Sequence, residues 1–160
     1  MSRIDHYIDA IIKRGITEAR EDGSTAVEAH HLLLGIAATD GTAAHRVLTA
    51  AGLGRADVRR ALDREFEHSL AAVGVQPAAY GLPRPSPDPE RKPKLGASGR
   101  LAIERGFALA TGKRDLRPAH LLLGILEAEV GTVPRALALA GIDRTDLRAR
   151  TRDTLAREAW

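Results

Sequence analysis

Two stretches decide the fold: EAHHLLLGIA, Glu28 to Ala37, and PAHLLLGILE, Pro118 to Glu127. His31-Leu-Leu-Leu-Gly35-Ile36 returns 89 residues later as His120-Leu-Leu-Leu-Gly124-Ile125. At that offset Ala19 meets Ala108, Gly23 meets Gly112, Arg46 meets Arg135, Ala51-Gly52-Leu53 meets Ala140-Gly141-Ile142, and Asp57 meets Asp146, with one slip near Gly41/Gly131. A match sustained this far marks an internal duplication. Repeat one is read as residues 1–73 and repeat two as 98–160, within a single domain spanning 1–160. A Pro-rich linker, 74–97, joins them: Pro77, Pro83, Pro85, Pro87, Pro89 and Pro93 are six of the eight prolines. Proline lacks an amide donor and fixes φ, so this stretch is expected to be extended or mobile.

Each copy reads as four helices. Ile4, Ile8, Ile11 and Ile12 recur at helical spacing, predicting a helix from Arg3 to Glu21. Thr25 and Glu28 suggest a capping box before the second helix. Thr42 is expected to cap a third, which Gly52 stops, and Val58, Leu62 and Phe66 mark a fourth. In the second copy Ser98 is expected to cap a helix closed by Gly112. Pro118 suits the first turn of the next, where its missing amide costs nothing. Thr132 and Pro134 open the third, and Asp143 and Asp146 the fourth. No alternating strand pattern is present. The expected fold is all-α: two tandem four-helix repeats packed with pseudo-twofold symmetry.

Composition narrows function. Hydrophobic residues are 44%, charged 28% and aromatic 3%, as in an aliphatic, globular, helical protein. No cysteine is present, which excludes disulfides and thiolate chemistry. The opening MSRIDHYIDAII lacks signal-peptide character and no apolar run is long enough to span a membrane, so a cytoplasmic location is expected. Net charge is +3, but residues 1–73 carry 9 basic and 11 acidic side chains, against 11 and 8 in 96–160. The basic stretch RTDLRARTRD, with Arg148, Arg150, Arg152 and later Arg157, supports only an alternative reading, a helical regulatory or nucleic-acid-binding protein.

The motif A-H-L-L-L-G-I, a short helix, then A-G-I/L followed by D-h-R, twice in tandem, resembles the amino-terminal Clp repeat domain of Clp-type AAA+ unfoldases, nearest the ClpC type. The resemblance implies an eight-helix bundle that receives substrates and adaptors ahead of ATPase rings. Here the domain is expected to stand alone. GFALATGKR, Gly106 to Arg114, is not a phosphate loop: its glycine spacing is wrong, Arg114 replaces the Ser/Thr, and no strand precedes it. No cofactor is expected.

The same resemblance implies two sites. One is a pair of phosphoarginine pockets, each using a glutamate directly before the repeat histidine. Those positions are His30 and Ala119, so phosphoarginine recognition is expected to be absent or weak. The other is an apolar groove between the first helices of the repeats, where cyclic-peptide antibiotics bind in actinobacterial relatives. It maps onto Ile4, Ile8, Ile12, Leu95, Leu101, Arg105 and Leu109, with Ile4 replacing a family phenylalanine. Ile4, Leu95 and Arg105 are expected near the rim and Ile8, Ile12 and Leu109 nearer the core. His31 and His120 are read as structural, bonding backbone groups at a helix start, and Gly35 and Gly124 as points of close helix approach. No nucleophile stands beside a base, so no catalysis is expected, and adjacent His30 and His31 do not form an i, i+4 metal pair. The reading is an ATP-independent binding module for a protein, a peptide or a cyclic peptide, acting as adaptor, competitor or sequestering decoy, with Clp protease components as candidate partners.

Overall fold

In the computed structural model, described for residues 1–76, 80–81, 85–157 and 159–160, the chain forms two sets of four helices. The first set is α1 (Arg3–Glu21), α2 (Ala29–Ala37), α3 (Ala43–Ala50) and α4 (Arg55–Ala72). The second is α5 (Ala97–Leu109), α6 (Pro118–Leu126), α7 (Thr132–Leu139) and α8 (Arg144–Arg157). The local signals act much as the sequence suggests. Thr42 caps α3 by accepting the His45 amide at 3.1 Å. Pro118 opens α6. Gly52 and Gly141 end α3 and α7 in the left-handed region, each at φ 74°, where a side chain would be strained.

Helices α2 and α6 are the core. Leu32, Leu34, Ile36, Leu122, Leu123 and Ile125 are almost wholly buried, each worth about 2 kcal/mol relative to exposure. The outer helices exchange partners around this pair: α4 packs on α7 and α3 on α8, so each copy completes the other's core. Two buried carboxylates hold the outer layer. Glu18, 5% exposed, takes a two-point bond from Arg55 at 2.7 and 3.0 Å and a third from Arg59 at 2.9 Å. Glu65 accepts from Arg135 at 3.0 Å and from Ser69 at 2.6 Å, tying α4 to α7.

Three expectations are corrected. Thr25 and Glu28 form no capping box. Residues Ala26–Val27 are instead a two-residue strand, β1, parallel to β2 (Lys94–Leu95), and the Thr25 carbonyl accepts the Lys94 amide. Ser98 does not precede α5. It lies in the first turn, after Gly96, and its hydroxyl accepts the Ala29 amide of α2 at 2.9 Å. The linker's later part is docked rather than loose: Asp88 donates its amide to Arg20, and Arg20 Nε donates to the Arg91 carbonyl at 2.8 Å. Pro77 and Pro83 lie outside the described residues.

The repeat register also changes along the chain. A Cβ on Gly35 would sit 3.1 Å from the Ile11 carbonyl oxygen, and one on Gly124 would overlap that of Ala102 outright. Likewise Gly15 faces the His31 carbonyl and Gly106 that of His120. Ala102 and Gly106 follow Ile11 and Gly15 by 91 residues, not 89. The first helices are therefore out of step with the second by two residues, and the pairing of Ala19 with Ala108 and Gly23 with Gly112 is a coincidence of composition.

These close approaches predict a sharp contrast. Gly124→Ala should destabilise the fold by about 3 kcal/mol or more, through overlap with rigid backbone. Gly112→Ala, with open space around it and an ordinary φ, should stay within about 0.5 kcal/mol of wild type. Urea denaturation of both variants measures the difference.

Candidate functional site

The site is built around the head of α2. A buried helix must satisfy its first amides inside the protein. The Glu28 amide donates to His31 Nδ1 at 2.9 Å, and the repeat copies this with the Arg117 amide on His120 Nδ1 at 3.0 Å. Because Nδ1 accepts, the proton resides on Nε2, which in His31 meets Asp22 Oδ2 at 2.8 Å. Burial opposes the charge on Asp22, but the hydrogen bond from His31 and the nearby cations still hold its pKa below the ordinary value. The repeat histidine is thus a scaffold residue in both copies. The Glu28 carboxylate crosses to α5, accepting the Ser98 amide at 3.1 Å and the Ser98 hydroxyl. Since Ser98 returns a bond to the Ala29 amide, each helix start is capped by the other repeat.

Directly beside this clamp lies His30. It lines a cleft of about 340 Å³ with Glu28, Ser98, Leu101, Arg105, Glu129 and Val130. Its walls are the head of α2, one face of α5, the end of α6 and the loop into α7. Among the described residues, Arg105 and Glu129 make no ion pair there. Arg135, by contrast, is committed to Glu65. Burial, then the neighbouring His31, pulls the His30 pKa down to about 4, against the opposing pull of Asp22 and Glu28. His30 therefore presents a neutral imidazole to the cleft at pH 7.

Asp22, His30 and His31 each offer an atom within 4.8 Å of the others, an arrangement other than an i, i+4 pair. Metal binding there would have to break the hydrogen bonds these groups already make. Coordination at His31 Nε2 would move its proton to Nδ1, where the Glu28 amide already points. It would also place the cation near Arg59, which lies 3.9 Å from Asp22.

The seven groove positions are not gathered into one surface. Leu101 and Arg105 line the His30 cleft, and Arg105 and Leu109 line a shallower hollow beside it that shares Glu129 and Val130. Ile8 lies around the other side, in a hollow of about 370 Å³ with Asp5, Phe107, Lys113 and Leu116. Ile4 is buried, whereas Ile12 and Leu95 are partly buried against the core. The expected order of rim and core is reversed for Ile4 and for Leu109, which is 41% exposed. Ala119 is buried at the head of α6, beside Trp160. Sequence reasoning missed Glu129, Val130 and Phe107. Val130 is 86% exposed in a loop between two apolar helices, and an apolar residue in that place was the available signal.

Four of the five arginines of α8 are engaged within the protein. Arg148 and Arg152 bond Glu127, Arg150 pairs with Asp146, and Arg144 donates to the Leu126 carbonyl at 2.6 Å. Gly106, the start of the loop-like GFALATGKR, is a helix-interior contact in α5.

A family model, the Clp repeat (R) N-terminal domain, matches residues 3–88, more than half of the chain and all of its first four helices. The chain belongs to the Clp N-terminal repeat family. Domains of this family bind substrates and adaptors and are not catalytic. A solved structure described as "Preliminary structural investigations of a malarial protein secretion system" shares 16% identity over 92% of this chain and 90% of that one, with a TM-score of 0.59. At that identity the likeness concerns the fold alone. No curated protein matches the chain. Among the described residues, no helix of this Clp repeat domain is long and apolar enough to cross a membrane.

The half-buried His30 imidazole gives the site a pH signature. His30 has a folded pKa near 4 against about 6.5 unfolded, so the unfolded chain binds more protons between those values. Stability is then complete above about pH 6.5 and falls as the pH drops toward 4, by up to about 3 kcal/mol. In His30→Gln this part of the pH dependence should vanish, as measured by urea melts at pH 7 and pH 4.5.

Proposed function

We propose that the chain is a nucleotide-independent receptor for peptide segments that pair an apolar with an acidic side chain, bound in the cleft between His30 and Arg105. We read it as one domain, with repeat one at 1–73, a linker at 74–97 and repeat two at 98–160. Family membership supplies the general role, binding of protein substrates or adaptors. The observation that carries the finer reading is the charge exchange in the cleft. A neutral His30 stands where a family carboxylate would pair a guanidinium, and the unpaired cation is the protein's own Arg105. Arginine's planar fork suits a carboxylate, while Leu101 and Val130 offer apolar contact. A phosphoarginine side chain would meet Arg105 without its usual partner.

In this reading the module works as an adaptor or competitor for a Clp unfoldase, or as a decoy that sequesters a peptide-like ligand. The hollow beside Ile8 and Phe107 is the place for a cyclic peptide, since Phe107 supplies an aromatic ring where Ile4 does not. The nucleic-acid reading is the weaker one, because Arg144, Arg148, Arg150 and Arg152 already hold Glu127, Asp146 and the end of α6.

Fluorescence anisotropy with a labelled Leu-Glu-Leu-Glu peptide tests the cleft. Wild type should bind, and Arg105→Ala should weaken binding about tenfold, equivalent to about 1.4 kcal/mol. Free phosphoarginine should leave the melting temperature unchanged. A clear rise with phosphoarginine, or an Arg105→Ala variant that binds as well as wild type, overturns the assignment.

A further inference from the structure

The head of α6 carries repeat counterparts of four residues that line the His30 cleft. Ala43, Arg117, Pro118 and Ala119 stand 89 residues from Thr132, Glu28, Ala29 and His30. Only about 10 Å³ of free space remains there, against about 340 Å³ in the first repeat. Trp160 lies against these residues and against Thr154 and Leu155 of α8.

The indole is held as an aromatic ligand would be. The Arg3 guanidinium carbon lies 4.5 Å from its ring centroid, and the Tyr7 ring meets it edge to face, with centroids 6.1 Å apart and planes at 73°. Both arrangements exploit the electron-rich face of the ring. The grip has a weakness, because the indole Nε1 is buried with no hydrogen-bond acceptor. An unmet buried donor penalises the docked state. A ring that brings no such donor, or that finds an acceptor for it, has an advantage over Trp160.

We propose that the pocket formed by Ala43, Arg117, Pro118 and Ala119 is a second binding site, specific for an aromatic side chain of a partner peptide, and that Trp160 is its resident occupant, displaced when such a peptide arrives. The cation over the ring sets the preference for an aromatic over an aliphatic side chain. The site is independent of the His30 cleft and of Arg105.

Trp160 is the only tryptophan in the sequence, so its fluorescence reports the pocket directly. Excitation at wavelengths that spare tyrosine isolates it from the probe, N-acetyltyrosinamide at millimolar concentration. In wild type the emission should be blue-shifted and shielded from acrylamide, and should become red-shifted and quenchable as the probe is added. In Trp160→Ala the probe should bind roughly tenfold more tightly, because no internal competitor lowers the fraction of open pocket. Amide NMR shifts should map that binding to Ala43 and Ala119. Arg105→Ala should leave the fluorescence response intact, which separates failure here from failure of the cleft assignment. An emission unmoved by saturating probe, equal affinity in wild type and Trp160→Ala, or shifts that map elsewhere would each overturn the proposal. Circular dichroism of Trp160→Ala verifies that it folds, and the wild-type fluorescence response stands without that variant.

Discussion

The backbone amides at the heads of α2 and α6 have to be satisfied away from bulk water. These two helices are apolar on nearly every side, which is what lets them form a common core, and it removes solvent as a partner for their first turns. The same device solves the problem twice: an imidazole three residues on accepts the amide of the residue preceding the helix. In the first repeat a second device is added, the exchange between Glu28 and Ser98. That exchange fixes α5 against α2, and α5 forms a wall of the cleft. The geometry of the binding surface thus descends from a requirement of helix termination.

Much of the architecture was legible in the sequence. Proline and threonine at helix starts, glycine at helix ends and the isoleucine stripe of α1 locate the elements, because each acts through local backbone chemistry. Gly35 and Gly124 were legible as close contacts, since a mid-helix glycine is costly and needs a reason. What was not legible is how the copies align away from α2 and α6. A composition rich in alanine lets α1 and α5 match at 89 as plausibly as at 91, and only backbone contact through Gly15 and Gly106 separates the two. Thr25 misled because a capping pattern and a two-residue strand look alike when the strand's partner, Lys94–Leu95, is nearly seventy residues away.

The cleft was only partly visible. Spacing places Leu101, Arg105 and Leu109 near one another on α5, but no periodicity shows that Ile4 turns inward while Leu109 is exposed. The substitution at His30 could be found from the repeat motif alone. Its protonation could not, because that depends on burial and on His31 beside it. Trp160 and Tyr7 meet only in three dimensions.

Sequence duplication commonly yields equal sites, and equal sites invite a bivalent partner whose second contact is favoured by the effective concentration of the first. The shape of this molecule departs from that expectation. One of two equivalent positions is a cleft of about 340 Å³, and the other holds an indole. With Trp160 in place, a partner carrying two copies of one recognition segment has a single place to put them. Occupancy then follows one-to-one stoichiometry, without avidity, on a scaffold whose symmetry would otherwise allow two.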